Sequence, residues 1–278
     1  MSTPEFSLLL PVYGGDDPGQ FRRAFYSAVH EQRLPPNEVV IVQDGPVGDV
    51  LTQQIEEVAA RAPVATIVHR IPRNAGLTAA LTAGLAVCAH DVIARMDADD
   101  VALPDRFARQ LPLIADGFDL VGTAIDEFVV TSDGVDRVVG RRIPPLDESA
   151  IRASMPFRDP FHHPTVVMRR AAVDRVGGYQ PMGLMEDYWL FARMVQAGAR
   201  VANLPDALVR YRVSSGAYGR RGGWAQLRNE LMLQSAMRRS GITTRRQHIR
   251  NVVVRGGYRL LPESLRRRAY RRVFVVDP

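Results

Sequence analysis

Lysine is absent from this chain of 278 residues; all 36 basic residues are arginine. Cysteine occurs once, at Cys88, which excludes an intramolecular disulfide and suits a reducing compartment. No apolar run approaches the ~20 residues that a membrane-spanning helix needs. The opening Met1-Ser2-Thr3-Pro4-Glu5 has no basic stretch, so no secretory signal is expected and a cytosolic protein follows. Two phosphate cradles are also missing. There is no Gly-x-Gly-x-x-Gly after the first apolar run and no Gly-x-x-x-x-Gly-Lys-Ser/Thr. Dinucleotide and P-loop readings therefore lack their backbone amides. If phosphates are handled here, something other than glycine must do it, which points to a metal ion.

What is present is ordinary in bulk, 46% apolar and 24% charged, enough for one large domain or a domain with an appendage. The charge is unevenly placed. Residues 220–278 carry fifteen arginines against Glu230, Glu263 and Asp277. The total is +6, so a mildly acidic body carries a strongly basic tail.

Strand and helix signals alternate. Phe6-Ser7-Leu8-Leu9-Leu10-Pro11-Val12-Tyr13 reads as a buried strand ended by Gly14-Gly15-Asp16-Asp17. Phe21, Phe25, Ala28 and Val29 recur at helical spacing behind Pro18. Glu38 to Gln43 is a second strand closed by Asp44-Gly45-Pro46, and Leu51, Ile55, Val58 and Ala59 mark a second helix. Thr66-Ile67-Val68 leads to Arg73-Asn74-Ala75-Gly76 and a third helix through Leu77, Leu81, Leu85 and Cys88, a core position. Val92 to Met96 is a fourth strand. Helices between strands imply parallel pairing with crossover connections, hence an α/β sheet. Ligands of such sheets bind at the carboxyl ends of the strands. Pro11-Val12-Tyr13, Asp44 and Asp97-Ala98-Asp99 should meet on that rim.

The fourth strand delivers three carboxylates within four residues, Asp97, Asp99 and Asp100. Packed carboxylates repel and are costly to bury without a cation. Mg²⁺ or Mn²⁺ with a diphosphate would answer that, since Mg²⁺ takes one or two protein carboxylates and fills its shell with phosphate oxygens and water. A solvated acidic turn fits the same spacing. Later, residues 124–148 alternate around Ser132-Asp133-Gly134 as a hairpin would, Val166-Val167-Met168 is a strand, and Ala171 to Val176 a short helix. Glu186 and Asp187 open another helix through Tyr188, Phe191, Ala192 and Val195, where capping would also explain an aspartate. Leu208 to Arg212 is the last strand of the body; beyond Gly222-Gly223 the chain reads as helical.

In this order the pieces resemble the family 2 inverting glycosyltransferases. They are Pro11-Val12-Tyr13, Asp44-Gly45, Arg73-Asn74-Ala75-Gly76 and Asp97-Ala98-Asp99-Asp100 with Pro104-x-Arg106-Phe107. His163-Pro164-Thr165-Val166, Gly177-Gly178-Tyr179, Glu186-Asp187 and Tyr211-Arg212 complete the set. The resemblance spans about Phe6 to Arg212 and implies a GT-A type, Rossmann-like, mostly parallel sheet flanked by helices. It divides the chain into a nucleotide-binding half (1–100), an acceptor-binding half (101–219) and a basic helical extension (220–278).

It implies a metal-dependent inverting transfer from a nucleoside-diphosphate sugar, UDP- or dTDP-linked, to a hydroxyl of a glycan or lipid-linked acceptor in envelope or polysaccharide synthesis. Pro11, Val12 and Tyr13 would line the base pocket and Asp44 would accept from the base imide, although an Asp-Gly turn explains Asp44 as well. Arg73, Asn74 and Ala98 would lie beside the nucleotide. Asp97 and Asp99 would handle Mn²⁺ or Mg²⁺, with Asp187 the general base and Glu186 and Trp189 supporting the acceptor.

Two features depart from the family. Tyr211-Arg212-Val213-Ser214-Ser215 lacks a following histidine, and the second-strand end Gln43-Asp44-Gly45-Pro46 lacks the further aspartate that the family commonly carries just downstream. His162 and His163 read as structural. An aspartyl-phosphate phosphohydrolase would share Asp97-Ala98-Asp99-Asp100-Val101, but its chemistry normally uses a first-strand aspartate and a lysine. The third reading is a non-catalytic basic module. The tail pairs arginine clusters with Leu227, Leu231, Leu260, Leu261, Leu265 and Phe274, contains no motif that reads nucleic acid, and suits an anionic membrane surface. Arginine helices packed on the body are the plain alternative. Peripheral attachment at the inner face of the membrane is the expectation carried forward.

Overall fold

Four strand-helix steps build the N-terminal half in the computed structural model, which describes residues 3–131, 133–213 and 222–276, side chains at 267, 269, 271, 273 and 274 excepted. Ser132 of the expected hairpin turn, Ser214-Ser215, Arg220-Arg221 and the side chains of Arg267, Arg271 and Phe274 thus lie outside the described residues. Strand β1 (Phe6–Tyr13) runs into α1 (Pro18–Val29), whose first turn is fixed by Asp17 accepting from the Gln20 amide at 2.9 Å. Then follow β2 (Glu38–Asp44), α2 (Asp49–Ala60), β3 (Ala65–Ile71), α3 (Leu77–Val87) and β4 (Val92–Arg95). These four strands pair in parallel, in the order β3-β2-β1-β4.

Side chains alternate between the two faces of the sheet, as the strand period requires. Leu9, Val40 and Val42 join one core with Leu81 of α3, while Leu8, Leu10, Val39 and Ile41 join a second with Phe21, Phe25 and Ile55 of α1 and α2. Cys88 is buried in the first, just past the end of α3.

The second half extends the sheet in mixed directions. The remaining elements are β5 (Val101–Ala102), α4 (Arg106–Ala115), β6 (Leu120–Val130), β7 (Asp136–Arg142), α5 (Glu148–Ser154), β8 (Val167–Arg169), α6 (Arg170–Arg175), α7 (Glu186–Gln196) and β9 (Val201–Arg212). Strand β8 lies antiparallel between β4 and β6, and β9 pairs parallel with β6 and antiparallel with β5. The hairpin is β6 with β7. Strand β9 is longer than the Leu208–Arg212 expected from the sequence. Its apolar pattern is broken where Pro205 and Asp206 bulge out of the pairing, between Leu204, opposite Thr123, and Ala207, opposite Ala124. A proline cannot donate to the ladder and is accommodated at such bulges.

The C-terminal helices pack on this body. In α8 (Trp224–Arg239), Leu233, Ala236 and Met237 enter the core shared with α7. Glu230 is fully buried and accepts from Arg255 at 2.6 and 3.1 Å and from Arg259 at 2.9 and 3.3 Å, both on α9 (Arg245–Leu260). Asn251 donates to the Pro156 carbonyl at 2.7 Å and to the Gln234 side-chain Oε1 at 3.0 Å. After α10 (Glu263–Phe274), Val276 exchanges two backbone hydrogen bonds of 2.8 Å with Arg141 of β7.

Glu230 thus fastens two helices through one buried carboxylate, and removing it deprives two largely buried guanidinium groups of this counter-charge. Glu230→Ala should lower unfolding stability by about 3–5 kcal/mol, read from urea denaturation, while exposed Val253→Ala should change it little.

Candidate active site

The rim above the carboxyl ends of β1, β2 and β4 gathers the singled-out residues. Strand β1 outruns β4, because Arg95 pairs with Leu9, so the chain from Met96 onward turns beside the last residues of β1. Pro11 and Val12 are buried within β1, and Tyr13 is half exposed with its ring against Gly15.

At the end of β2, buried Asp44 accepts the backbone N–H groups of Ala75 at 2.7 Å and Gly76 at 2.8 Å. The carboxylate therefore sits at the opening of α3, where unsatisfied amides and the helix dipole favour an anion. Asn74 donates to the Asp44 carbonyl at 3.3 Å, and Arg73 and Asn74 are exposed. Gly45 has φ +82°, and a Cβ there would come within 2.4 Å of the Asn74 nitrogen. The turn therefore requires glycine.

At the centre is Arg95, a cation 1% exposed at the end of β4. Its guanidinium grips Asp97 with two donors, Nη1 to Oδ2 at 2.9 Å and Nη2 to Oδ1. Its carbonyl receives Arg106 Nη2 at 2.6 Å, and burial together with Arg95 pushes the Arg106 guanidinium down to about 9. Ala98 is buried. Asp99 keeps its carboxylate outside that pairing; Arg212 of β9 meets it at the backbone carbonyl, Nε to O at 2.8 Å. Burial, then the neighbouring Asp97, pushes Asp99 up to about 6. Asp100 is fully buried, with Oδ1 accepting the Arg212 amide at 2.9 Å and Oδ2 without a partner. Burial is also the main reason that Asp16 is pushed up to about 7, with Asp99 and Asp97 adding to it. Sequence reasoning passed over Asp16 as part of a turn.

From the other side, α7 brings Glu186 and Asp187 in its first turn. Asp187 accepts the Tyr188 amide at 2.7 Å. Burial raises it above the usual carboxylate range, and the charges of Arg95 and Asp97 both reach it. Asp187 Oδ2 lies 3.7 Å from His163 Nδ1, and His163 Nε2 lies 2.8 Å from the Tyr179 hydroxyl. Burial holds His163 well below its ordinary value, so the ring is neutral. His163 is thus a buried, hydrogen-bonded histidine, as expected from the sequence, and it also lies beside Asp187. The ordered His163-Pro164-Thr165 and Gly177-Gly178-Tyr179 pieces were its signal. Glu186 is buried and pushed up to about 7 by burial and Asp187, whereas Trp189 donates to Gln180 at 2.9 Å.

Arg95 thus acts on both the loop after β4 and the Asp187 turn, and Asp16 joins this neighbourhood through Asp97 and Asp99. Among the described residues no group of three His, Cys, Asp or Glu could hold a metal by itself. A cation here would need other ligands to complete its shell. The carboxylate oxygens present suit a hard divalent ion, and Asp99 is the one left outside the Arg95 pair.

The model of glycosyl transferase family 2 matches residues 7–177. The chain belongs to this family. It is 36% identical over 230 residues to the amylovoran biosynthesis glycosyltransferase AmsE of Erwinia amylovora, covering 82% of this chain and 84% of that protein. It is 30% identical over 273 residues to the Escherichia coli UDP-Gal:alpha-D-GlcNAc-diphosphoundecaprenol beta-1,3-galactosyltransferase, covering 98% and 97%. Among solved structures it resembles the Pyrobaculum calidifontis mannosyltransferase PcManGT in complex with GDP-Man and Mn²⁺, at TM-score 0.69 and 17% identity, over 99% of this chain and 77% of that one. The protein is a glycosyltransferase with a GT-A fold. Among the described residues no helix is long and apolar enough to cross a membrane.

The raised value of Asp99 has a measurable consequence. The folded chain holds that proton more tightly than the unfolded chain, where aspartate titrates near 3.9. Asp99 therefore costs stability above about pH 6 and ceases to do so below about pH 4. With metal removed by chelator, Asp99→Asn should be more stable than the parent by about 1–2 kcal/mol at about pH 8. The two should melt together at about pH 4, as scanning calorimetry would read.

Proposed function

We propose that this family 2 glycosyltransferase is a metal-dependent inverting enzyme. It moves a sugar from a nucleoside-diphosphate donor, UDP- or dTDP-linked, to a hydroxyl of a lipid-linked glycan in envelope or polysaccharide synthesis. The observation that carries the reading is the buried Arg95, with Asp97 on its guanidinium, Asp187 within reach of its charge and Asp99 left outside the pair. The relatives support the substrate class: one bears the name of a UDP-Gal transferase to a diphosphoundecaprenol acceptor, another that of an amylovoran biosynthesis glycosyltransferase.

In this reading Asp99, with Asp97 beside it, holds Mn²⁺ or Mg²⁺. When bound, the ion supplies positive charge where the leaving diphosphate gains negative charge. Pro11, Val12 and Tyr13 flank the base, with Arg73, Asn74 and Ala98 beside the nucleotide. Asp44 accepts the imide N–H with lone pairs that the two backbone amides leave over.

Asp187 takes the proton of the acceptor hydroxyl. Its raised pKa brings its basicity closer to working pH, which favours general-base transfer. Neutral His163, held by Tyr179, lies against the carboxylate and limits its rotation. Glu186 and Trp189 shape the acceptor side. Attack opposite the departing diphosphate inverts the anomeric carbon, so one base suffices and no covalent enzyme intermediate forms.

Asp187→Asn should lower turnover by about 10²–10⁴-fold and largely spare donor binding. Asp99→Ala should weaken Mn²⁺-dependent binding of the nucleotide sugar. Calorimetric titration of UDP-sugars with and without Mn²⁺, beside a transfer assay on a glycan-diphosphopolyprenol, separates the two. Parental turnover by Asp187→Asn would reject the base.

A further inference from the structure

Helix α9 is inside out. Its inward side carries Asn251, Arg255 and Arg259, all engaged with buried partners. Ile249, Val253, Val254 and Leu260 are 53%, 67%, 55% and 49% exposed. At about 100° per residue, Val253 lies about 160° round the helix from Arg255, with Ile249 and Leu260 on the same side. A helix packed on a globular body ordinarily does the reverse.

The apolar side chains extend past the helix. The Gly223 amide donates to the Arg259 carbonyl at 2.8 Å, so α8 starts where α9 ends. Trp224, 77% exposed, therefore stands at the same corner as Leu260 and Leu261, and Leu265 opens from the first turn of α10 close by. Arg228, Arg238, Arg239, Arg245, Arg246, Arg250, Arg268 and Arg272 are exposed on these helices.

We propose that the outward face of α9, with Trp224 and Leu265 at its C-terminal corner, docks on an anionic lipid bilayer. An exposed apolar stripe bordered by arginine is the chemistry of a helix lying in the interface plane, where cations meet anionic headgroups and an exposed tryptophan sits at headgroup level. The excess of positive charge disfavours pairing this face with a second copy of itself. The inference deepens the lipid-linked acceptor reading and rests on it for its purpose. The inward side of α9 meets α7, with Arg255 lying over the Tyr188 ring at 5.3 Å, next in sequence to Asp187. Bilayer and candidate base thus lie on opposite sides of one helix, about 10 Å thick. An acceptor glycan could remain attached to its lipid while its hydroxyl reaches Asp187.

The test uses the full chain, because α8 carries core residues. Flotation is measured at physiological salt with vesicles of phosphatidylcholine alone and with about one third phosphatidylglycerol. The protein should float with the anionic vesicles and stay behind with the neutral ones. Ile249→Ser, Val253→Ser and Leu260→Ser together should lower recovery by about tenfold or more, with an unchanged melting temperature and unchanged transfer to a short water-soluble acceptor. Arg239→Gln, Arg245→Gln and Arg246→Gln together should weaken flotation most at low salt. Equal flotation of parent and triple serine variant would overturn the proposal. So would a solution dimer of the parent that the serine variant splits. Absence of transfer by the parent to a glycan-diphosphopolyprenol, with intact flotation, would refute the lipid-linked acceptor reading and leave the surface standing.

Discussion

A single buried guanidinium holds the rim together. Arg95 ends a strand whose other residues are apolar, and a charge so placed is expensive unless neutralised and hydrogen-bonded. Asp97 supplies both the charge and a two-pronged fit. The loop that follows β4 is thereby drawn back over the strand end, leaving the carboxyl groups of Asp99 and Asp100 outside the Arg95 pair. Arg212 reaches the same loop from β9, taking the Asp99 carbonyl and giving its amide to Asp100. Two residues far apart in sequence thus fix the shape of the acidic loop from below and from the side.

A similar economy governs the C-terminal helices. Glu230 is to α8 and α9 what Asp97 is to the rim: a carboxylate answered by arginine. Because Leu233 and Met237 are fully buried beside α7, these helices are part of the packing that supports the Asp187 turn. Tyr188, lying under Arg255 and donating to the Met155 carbonyl at 2.6 Å, joins the two regions.

Much of this was legible in the sequence. The first four strands stood out because each is a short apolar run stopped by polar or glycine residues, and the rim followed from their parallel pairing. The acidic loop and the Glu186-Asp187 turn were visible as carboxylates at element ends. Other parts were hidden for identifiable reasons. Strand β9 was shortened by the bulge at Pro205-Asp206. The work of Arg95 was invisible because one arginine at a strand end looks the same whether solvated or buried. The Asp187–His163–Tyr179 contacts join positions from three separate segments, which no local pattern reveals. On α9 only Leu260 was singled out among the apolar residues of the sequence; Ile249, Val253 and Val254 went unremarked, because apolar residues at helical spacing look the same whether they face the body or stand outward.

Asp44 fastens the opening of α3 with both carboxylate oxygens. Its side chain is therefore a hinge-pin of the scaffold as well as part of the rim. Exchanging it to retune ligand preference would also unfasten the helix behind it. Redesign of this rim has more freedom at Tyr13 and Arg73, which are exposed and hold no such helix in place.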